Sequence, residues 1–256
     1  MLRFGIILTS LVMSSALTVR AVSAAADDDP PLPVCAATIF DSAPFTVCTA
    51  DLNTGDLRLF HRHGDGSLIG QPSAIVPGQA DEIVFAMNAG MFHLDRRPVG
   101  HYVEAGVETA RLIRGDGPGN FQLLPNGVFW IVDGEMGVME TEAFAEVEME
   151  VDYATQSGPM LVIDGELHPA FRMQSDSLHI RNGVGVSQDG QRAVFAISDA
   201  PVNFHTFARL FRDELELDNA LFLDGKVSLL YAPELGRSDI GLSVGPMAAF
   251  VRPVGD

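Results

Sequence analysis

Basic residues are scarce in this chain. Sixteen Lys and Arg stand against 34 Asp and Glu, a formal net charge of −18 at pH 7. A field of that sign repels nucleic acid and anionic membrane surfaces, so neither is expected as a partner. Cysteine is nearly absent: Cys35 and Cys48 are the two in the sequence, with no CxxC spacing to suggest a thiolate metal site. Catalytic signatures are missing too, with no GxSxG, no HExxH and no Walker loop. Past the N-terminus no apolar run approaches the ~20 residues that span a bilayer. There is no repeat, linker or low-complexity tract. The apolar content, 47%, is ordinary for a globular protein and excludes disorder as the default state.

The N-terminus is different. Arg3 precedes an apolar run from Phe4 to Val19, and Val22-Ser23-Ala24 places small residues where a signal peptidase reads them. Cleavage is expected after Ala24, with Ala26 as the second choice. A membrane anchor is disfavoured because the run is short and Arg20 sits at its edge. Losing Arg3 and Arg20 leaves 14 basic residues against 34 acidic ones, a mature net charge of −20. The chain therefore divides into a signal peptide (1–24), an acidic, Pro-rich flexible leader (25–34) and a folded domain (35–254), periplasmic or secreted. In an oxidising compartment the two cysteines are expected to pair, worth ~3 kcal/mol in the chain-entropy model.

Short apolar runs bounded by turn residues predict strands at Ala37–Phe40, Phe45–Val47, Leu57–Phe60, Val128–Val132 and Met247–Val251. Ile83–Met87 is continuously apolar, as strands buried on both faces are, and Val128–Val132 is similar; Met160–Ile163 and Ala193–Ile197 read as further buried strands and Ala220–Leu223 as a short apolar strand. Acids alternate with apolar residues from Phe144 to Val151, which reads as a strand with one wet face; a helix up to Glu148 is the alternative, since Glu and Ala form helices well. Phe204, Phe207, Leu210, Phe211 and Leu215 recur at helical spacing behind Asn203, a good N-cap. These elements predict a single α+β domain: a strand-rich core built on a mixed β-sheet, with a few packed helices.

Four Gly-containing polar turns sit at the ends of apolar strands. They are Asn88-Ala89-Gly90-Met91-Phe92, Gln156-Ser157-Gly158-Pro159, Arg181-Asn182-Gly183-Val184-Gly185 and Asp224-Gly225-Lys226-Val227-Ser228. Each alone is an ordinary turn. Together they matter, because strand-end loops on a rigid sheet are where sites are built. Glycines also let backbone N–H groups approach an anion.

The segments FAMNAGMFHLDRRPVGHYVEAG, LPNGVFWIVDG, TQSGPMLVIDGELH, IRNGVGVSQDG, VFAISDAPVNFHTFARLFRD and NALFLDGKVSLLYAPELGR resemble, in order, the motifs of the phosphodiester glycosidase domain family. They cover about Phe85 to Arg237, and the chain is most similar to the family's bacterial exported branch. The resemblance implies a hydrolase acting on a sugar phosphodiester, in envelope or exopolysaccharide metabolism. Two other readings remain open: a non-catalytic glycan-binding module, and a phosphodiesterase that cuts P–O instead of the glycosidic bond.

Cleaving a glycosyl phosphate commonly takes two carboxylates. Asp224, ending a buried strand inside a matched motif, is the first candidate; Asp199 is the second. Asn88, Gly90, Ser157, Gly158, Arg181, Asn182, Lys226 and Ser228 are the expected substrate binders. Arg181 offers the planar fork that suits phosphate. Lys226 and Val227 depart from the family's Gly-rich stretch after Asp-Gly, which puts the substrate's identity in doubt. His93 and His205 are weaker candidates for carrying protons. No cofactor and no metal is expected, although Asp224, Asp199 and Asn88 are oxygen donors of the kind Ca²⁺ takes. If export is read correctly, N-terminal sequencing of the protein recovered outside the cytoplasm should begin at Ala25 or within two residues of it. Unprocessed protein retained in the cytoplasm would defeat that reading.

Overall fold

The apolar runs become strands of three antiparallel sheets. The structure is a computed structural model that describes Met1 and residues 34–255; Pro33–Asp256 clusters as one compact unit. Apart from Met1 and Val34, the expected signal peptide and leader lie outside the described residues.

In chain order the strands open with β1 (Cys35–Phe40), β2 (Ala43–Asp51), β3 (Asp56–Phe60), β4 (Asp81–Asn88), β5 (Tyr102–Glu104), β6 (Val107–Ala110), β7 (Gly127–Val132) and β8 (Glu135–Glu140). Helix α1 (Thr141–Val147) follows, then β9 (Tyr153–Ser157), β10 (Met160–Ile163), β11 (Glu166–Leu167), β12 (Asn182–Val186) and β13 (Arg192–Ser198). After helix α2 (Phe204–Arg209) come β14 (Asn219–Asp224), β15 (Leu230–Ala232), β16 (Arg237–Ser238) and β17 (Met247–Pro253). The seven-stranded sheet runs β1-β2-β13-β12-β14-β10-β11. The two five-stranded sheets run β16-β15-β4-β17-β3 and β6-β5-β9-β7-β8.

The expected mixed sheet is corrected: the neighbouring strands of all three sheets pair antiparallel. Parallel neighbours need long crossovers, usually helical. Here several neighbours are joined by tight turns instead, as β7 and β8 are through Asp133 (φ 49°) and Gly134 (φ 77°). The fold is mostly β.

The seven-stranded sheet is covered on both faces, which explains its continuous apolar runs. Leu221 and Leu223 of β14 face the central core, where Phe195 meets Phe85 of one five-stranded sheet (5.6 Å between centroids) and Phe129 of the other (6.1 Å). Ala220 and Phe222 face the other way, into a second core closed by α2. The hairpin β1–β2 is pinned at its open end by the Cys35–Cys48 disulfide, whose residues are direct cross-strand partners.

The Phe144–Val151 segment is a correction. The strand expected there is instead helix α1 up to Val147, because tertiary packing needs a three-residue spacing. Thr141 and Phe144 are the buried pair, and the Glu140 carboxylate caps the helix by accepting from the N–H groups of Glu142 (2.8 Å) and Ala143 (2.9 Å). The Asn203 cap forms as expected, its side-chain oxygen accepting from Thr206 N–H. After Arg209 the helix widens into a π turn, Leu210–Glu214, closed by Leu215 N–H on the Leu210 carbonyl.

Phe207 is fully buried, stacked on Phe45 and edge-on to Phe211. Phe207→Ala should lower the unfolding free energy by ~3–5 kcal/mol in urea titration, the usual cost of a void that size. A loss under about 1 kcal/mol would mean that α2 is not packed as described.

Candidate functional site

Three sheets end together at one buried polar floor. Asn88 closes β4, Asn182 opens β12, Asp224 closes β14 and Ser157 closes β9. Asn182 donates to the Asn88 carbonyl (2.6 Å) and accepts from Asp224 N–H (2.8 Å). Asn88 donates to the Val227 carbonyl (2.7 Å) and accepts from Leu229 N–H (2.9 Å). Ser157 donates to the Leu223 carbonyl (2.9 Å), and the Ser228 hydroxyl to the Asp224 carbonyl (3.2 Å). Gly90 (φ 147°) lies where a Cβ would come within 2.8 Å of Thr155 Oγ1. Gly158 likewise faces Asn126 and the Phe121 carbonyl.

Above this floor is a cavity of about 330 Å³. Arg181, Asp224, Gly225 and Lys226 line it, with His179, Met91, Gly119 and Asn120. Of the expected site residues, the structure therefore gathers Arg181, Asp224 and Lys226 at the cavity. Asn88, Asn182 and Ser157 are fully buried with their side chains committed to the floor, and Gly90, Gly158 and Ser228 do not line the cavity. Asp199 is engaged elsewhere, accepting from Arg237 (2.6 Å) and Thr46 (2.9 Å). His93, in an exposed loop, and His205, on α2, are not among the lining residues. The oxygen donors considered for Ca²⁺ are dispersed in the same way, with Asp199 on Arg237 and Asn88 Oδ1 on Leu229 N–H.

Arg181 is the unusual residue. Its side chain is fully buried, yet its hydrogen bonds go to carbonyls: Nε to Val202 (2.9 Å) and one terminal nitrogen to Ser177 (2.9 Å). The other terminal nitrogen, Nη1, has no partner among the described residues. No carboxylate pairs with it among those residues. Its charge rests instead on an aromatic face, with Cζ 3.7 Å from the Phe204 centroid. Phe204 in turn stacks on Phe171 (4.9 Å), and Phe171 on His168 (4.7 Å), so the guanidinium plane is the last layer of a stack. Burial pulls the Arg181 pKa down to about 10, which leaves it charged at neutral pH. Gly225 lets the loop pass over this assembly; a Cβ there would sit 2.8 Å from Phe222 and 3.6 Å from Arg181 Nη1.

Asp224 is also largely buried. Desolvation raises its pKa, against the opposing pull of the Lys226 and Gly225 N–H groups, which both donate to Oδ1 (3.0 and 2.6 Å). Two larger hollows lie elsewhere. One, about 620 Å³ at the far ends of β12 and β14 around Trp130 and Asp189, has no basic side chain in its lining. The other, about 680 Å³, carries Glu108, Asp133, Glu150 and Asp152 with His101 as its one basic-type residue. Neither suits an anion.

Sequence reasoning missed His179, Asn120, Gly119 and Met91. His179 was legible in principle, since it stands two residues before Arg181 in an extended segment, where alternate side chains share a face. Gly119 and Asn120 belong to a Gly-rich loop that approaches the cavity only through the tertiary fold.

Comparison with known proteins matches residues 81–239 to the phosphodiester glycosidase family model. The chain is 32% identical over 185 residues to the Escherichia coli (strain K12) protein YigE, described as uncharacterized, covering 72% of each. Its fold is similar to the catalytic domain of the zebrafish N-acetylglucosamine-1-phosphodiester alpha-N-acetylglucosaminidase auto-inhibited by its pro-peptide. That match has a TM-score of 0.59 at 14% identity and covers 84% of this chain and 81% of that one. A hypothetical protein from Synechocystis matches with a TM-score of 0.51 at 14% identity, over 85% of this chain and 61% of that one.

The raised pKa of Asp224 carries a stability consequence. A carboxyl that is harder to ionise when folded lends most stability below its unfolded pKa and loses it as pH rises through the folded value. Asn keeps the Oδ1 acceptor for Gly225 and Lys226 and has no charge to desolvate. Asp224→Asn should therefore melt no lower than the parent at pH 7, and its advantage should vanish at pH values below the ordinary aspartate range. A melting temperature several degrees lower at pH 7 would instead make Asp224 a structural turn residue.

Proposed function

The chain belongs to the phosphodiester glycosidase family, and from that premise we propose that it hydrolyses a glycosyl phosphodiester outside the cytoplasm, on an envelope or exopolysaccharide glycan. The observation that carries this reading is the buried Arg181 guanidinium. Among the described residues it has no carboxylate partner and one unmet nitrogen, in a cavity that also holds a desolvated carboxylate. An uncompensated buried cation is costly, and an anionic ligand offsets that cost. A phosphodiester supplies one negative charge and a non-bridging oxygen for the unmet Arg181 Nη1, with Lys226 at the rim as a second cation.

In the reaction, the bond between the anomeric carbon and the bridging phosphate oxygen breaks, and the electron pair stays on that oxygen. Arg181 and Lys226 hold the phosphate as it departs. Water supplies the new oxygen on the sugar. Asp224, ionised, stabilises positive charge as it grows at the anomeric carbon. A phosphate monoester is a better leaving group than a sugar alcohol, so the step leans less on acid help. One carboxylate in the cavity fits that lighter demand. The disulfide Cys35–Cys48 supports an oxidising destination.

The test is a hydrolysis panel of glycosyl phosphodiesters, including an N-acetylglucosamine phosphodiester and a nucleotide sugar, run in ¹⁸O-labelled water. Turnover with the label in the sugar is expected. Asp224→Asn should lower kcat by about 10²-fold or more, and Arg181→Lys should raise KM because one ammonium cannot hold the Val202 and Ser177 carbonyls and still present a donor to the phosphate. Label appearing in the phosphate would make the protein a phosphodiesterase. Glycan binding without turnover across the panel would make it a binding module.

A further inference from the structure

We propose that His179 is the general base that takes the proton from the attacking water. This inference rests on the hydrolase reading and assigns a role that reading leaves empty. Attack of water at the anomeric carbon releases a proton that a group lining the cavity must accept. Among the described side chains lining the cavity, Asp224 and His179 are the two able to accept a proton from water. Asp224 is occupied with the growing positive charge. Asp199, the second carboxylate expected from sequence, is bound to Arg237 and Thr46 and does not line the cavity.

The backbone fixes His179 against the phosphate anchor. His179 N–H donates to the Val202 carbonyl (3.1 Å), and Val202 N–H returns a bond to the His179 carbonyl (2.9 Å). The same Val202 oxygen accepts from Arg181 Nε (2.9 Å). One carbonyl therefore sets both the guanidinium that grips the phosphate and the backbone that carries the imidazole. Residues 179 and 181 face the same side of this extended segment, and both line the cavity. The side chain of His179 is exposed, so the proton it collects can pass on to bulk water.

The step balances. A water oxygen bonds to the anomeric carbon as the carbon–oxygen bond to phosphate breaks. The water proton goes to the imidazole, the electron pair leaves with the phosphate monoester, and His179 then releases its proton to solvent.

The experiment compares parent, His179→Gln and His179→Ala with the mature protein on its best diester from the panel. His179→Gln should lose about 10²-fold or more in kcat with KM and melting temperature unchanged. The acid limb of its kcat/KM profile should differ from the parent's, as loss of the proton-accepting group requires. Added imidazole should restore part of the activity of His179→Ala. The deficit should be equal for aryl and alkyl phosphodiesters, because the base acts on water and not on the leaving group. A deficit that disappears with an aryl leaving group would make His179 the acid and overturn the assignment. So would a His179→Gln enzyme with parental kcat and an unmoved acid limb, while Asp224→Asn remains inactive. A parent enzyme inactive on every diester would defeat the hydrolase reading and this inference with it.

Discussion

Asn182 is the residue on which the architecture of this end of the molecule depends. It opens β12 at the centre of the seven-stranded sheet, and its amide reaches in two directions at once. It donates to Asn88 of a five-stranded sheet and accepts from the Asp224 backbone in its own sheet. Both asparagines are completely buried. A buried amide left without partners costs on the order of 1–3 kcal/mol, so the sheets are obliged to meet in this register. Ser157 on Leu223 and Thr155 on Ala89 tie in the third sheet by the same means. The strand ends are thereby fixed relative to one another, and so are the loops that continue from them.

That rigidity is what allows a cation to be buried without a carboxylate partner among the described residues. Arg181 precedes Asn182 directly, and its guanidinium is enclosed by Phe204, Phe222 and two carbonyls. In a mobile setting such a side chain would swing out to water or find one of the chain's many carboxylates. Here an aromatic stack on one side and the Gly225 turn on the other hold it. The chain's formal net charge is −18, so the long-range field opposes any phosphate. Attraction must come from a local point where charge is desolvated and solvent screening is weak. In the proposed reading Arg181 is that point, with Lys226 beside it at the cavity.

Much of this was legible in the sequence. The apolar runs identify β4, β10, β13 and β14 because strands covered on both faces carry no alternation. The Asn203 cap and the Phe204–Phe207–Phe211 spacing locate α2. The polar turns identify the strand ends that meet at the floor. What was not legible depends on three-dimensional neighbours. Antiparallel pairing of non-consecutive strands, such as β2 with β13 or β4 with β17, leaves no local mark. The Glu-rich segment after Glu140 fits both periods, and the burial of Thr141 and Phe144 decides for the helix. Asp199 and Asp224 look alike as strand-end aspartates. Only the position of Arg237, 38 residues from Asp199, separates an ion-paired carboxylate from one facing a cavity.

The distinction between floor and cavity alters how the family's motif residues are read. A polar residue beside glycine at a strand end suggests ligand contact, and Asn88, Ser157 and Asn182 share that appearance with Arg181 and Asp224. Their hydrogen-bonding capacity is largely spent on the backbone of neighbouring strands, so a ligand above the floor meets only what they position. Substitution at such residues acts on the geometry of several loops at once, whereas substitution at Arg181 acts on its Val202, Ser177 and Phe204 contacts and substitution at Asp224 on its own turn. Chemistry at this site is therefore confined to a few side chains standing on a scaffold of buried amides. The scaffold tolerates little change because the Asn182 amide is satisfied by partners from two sheets and the Asn88 amide by the loop that follows Asp224.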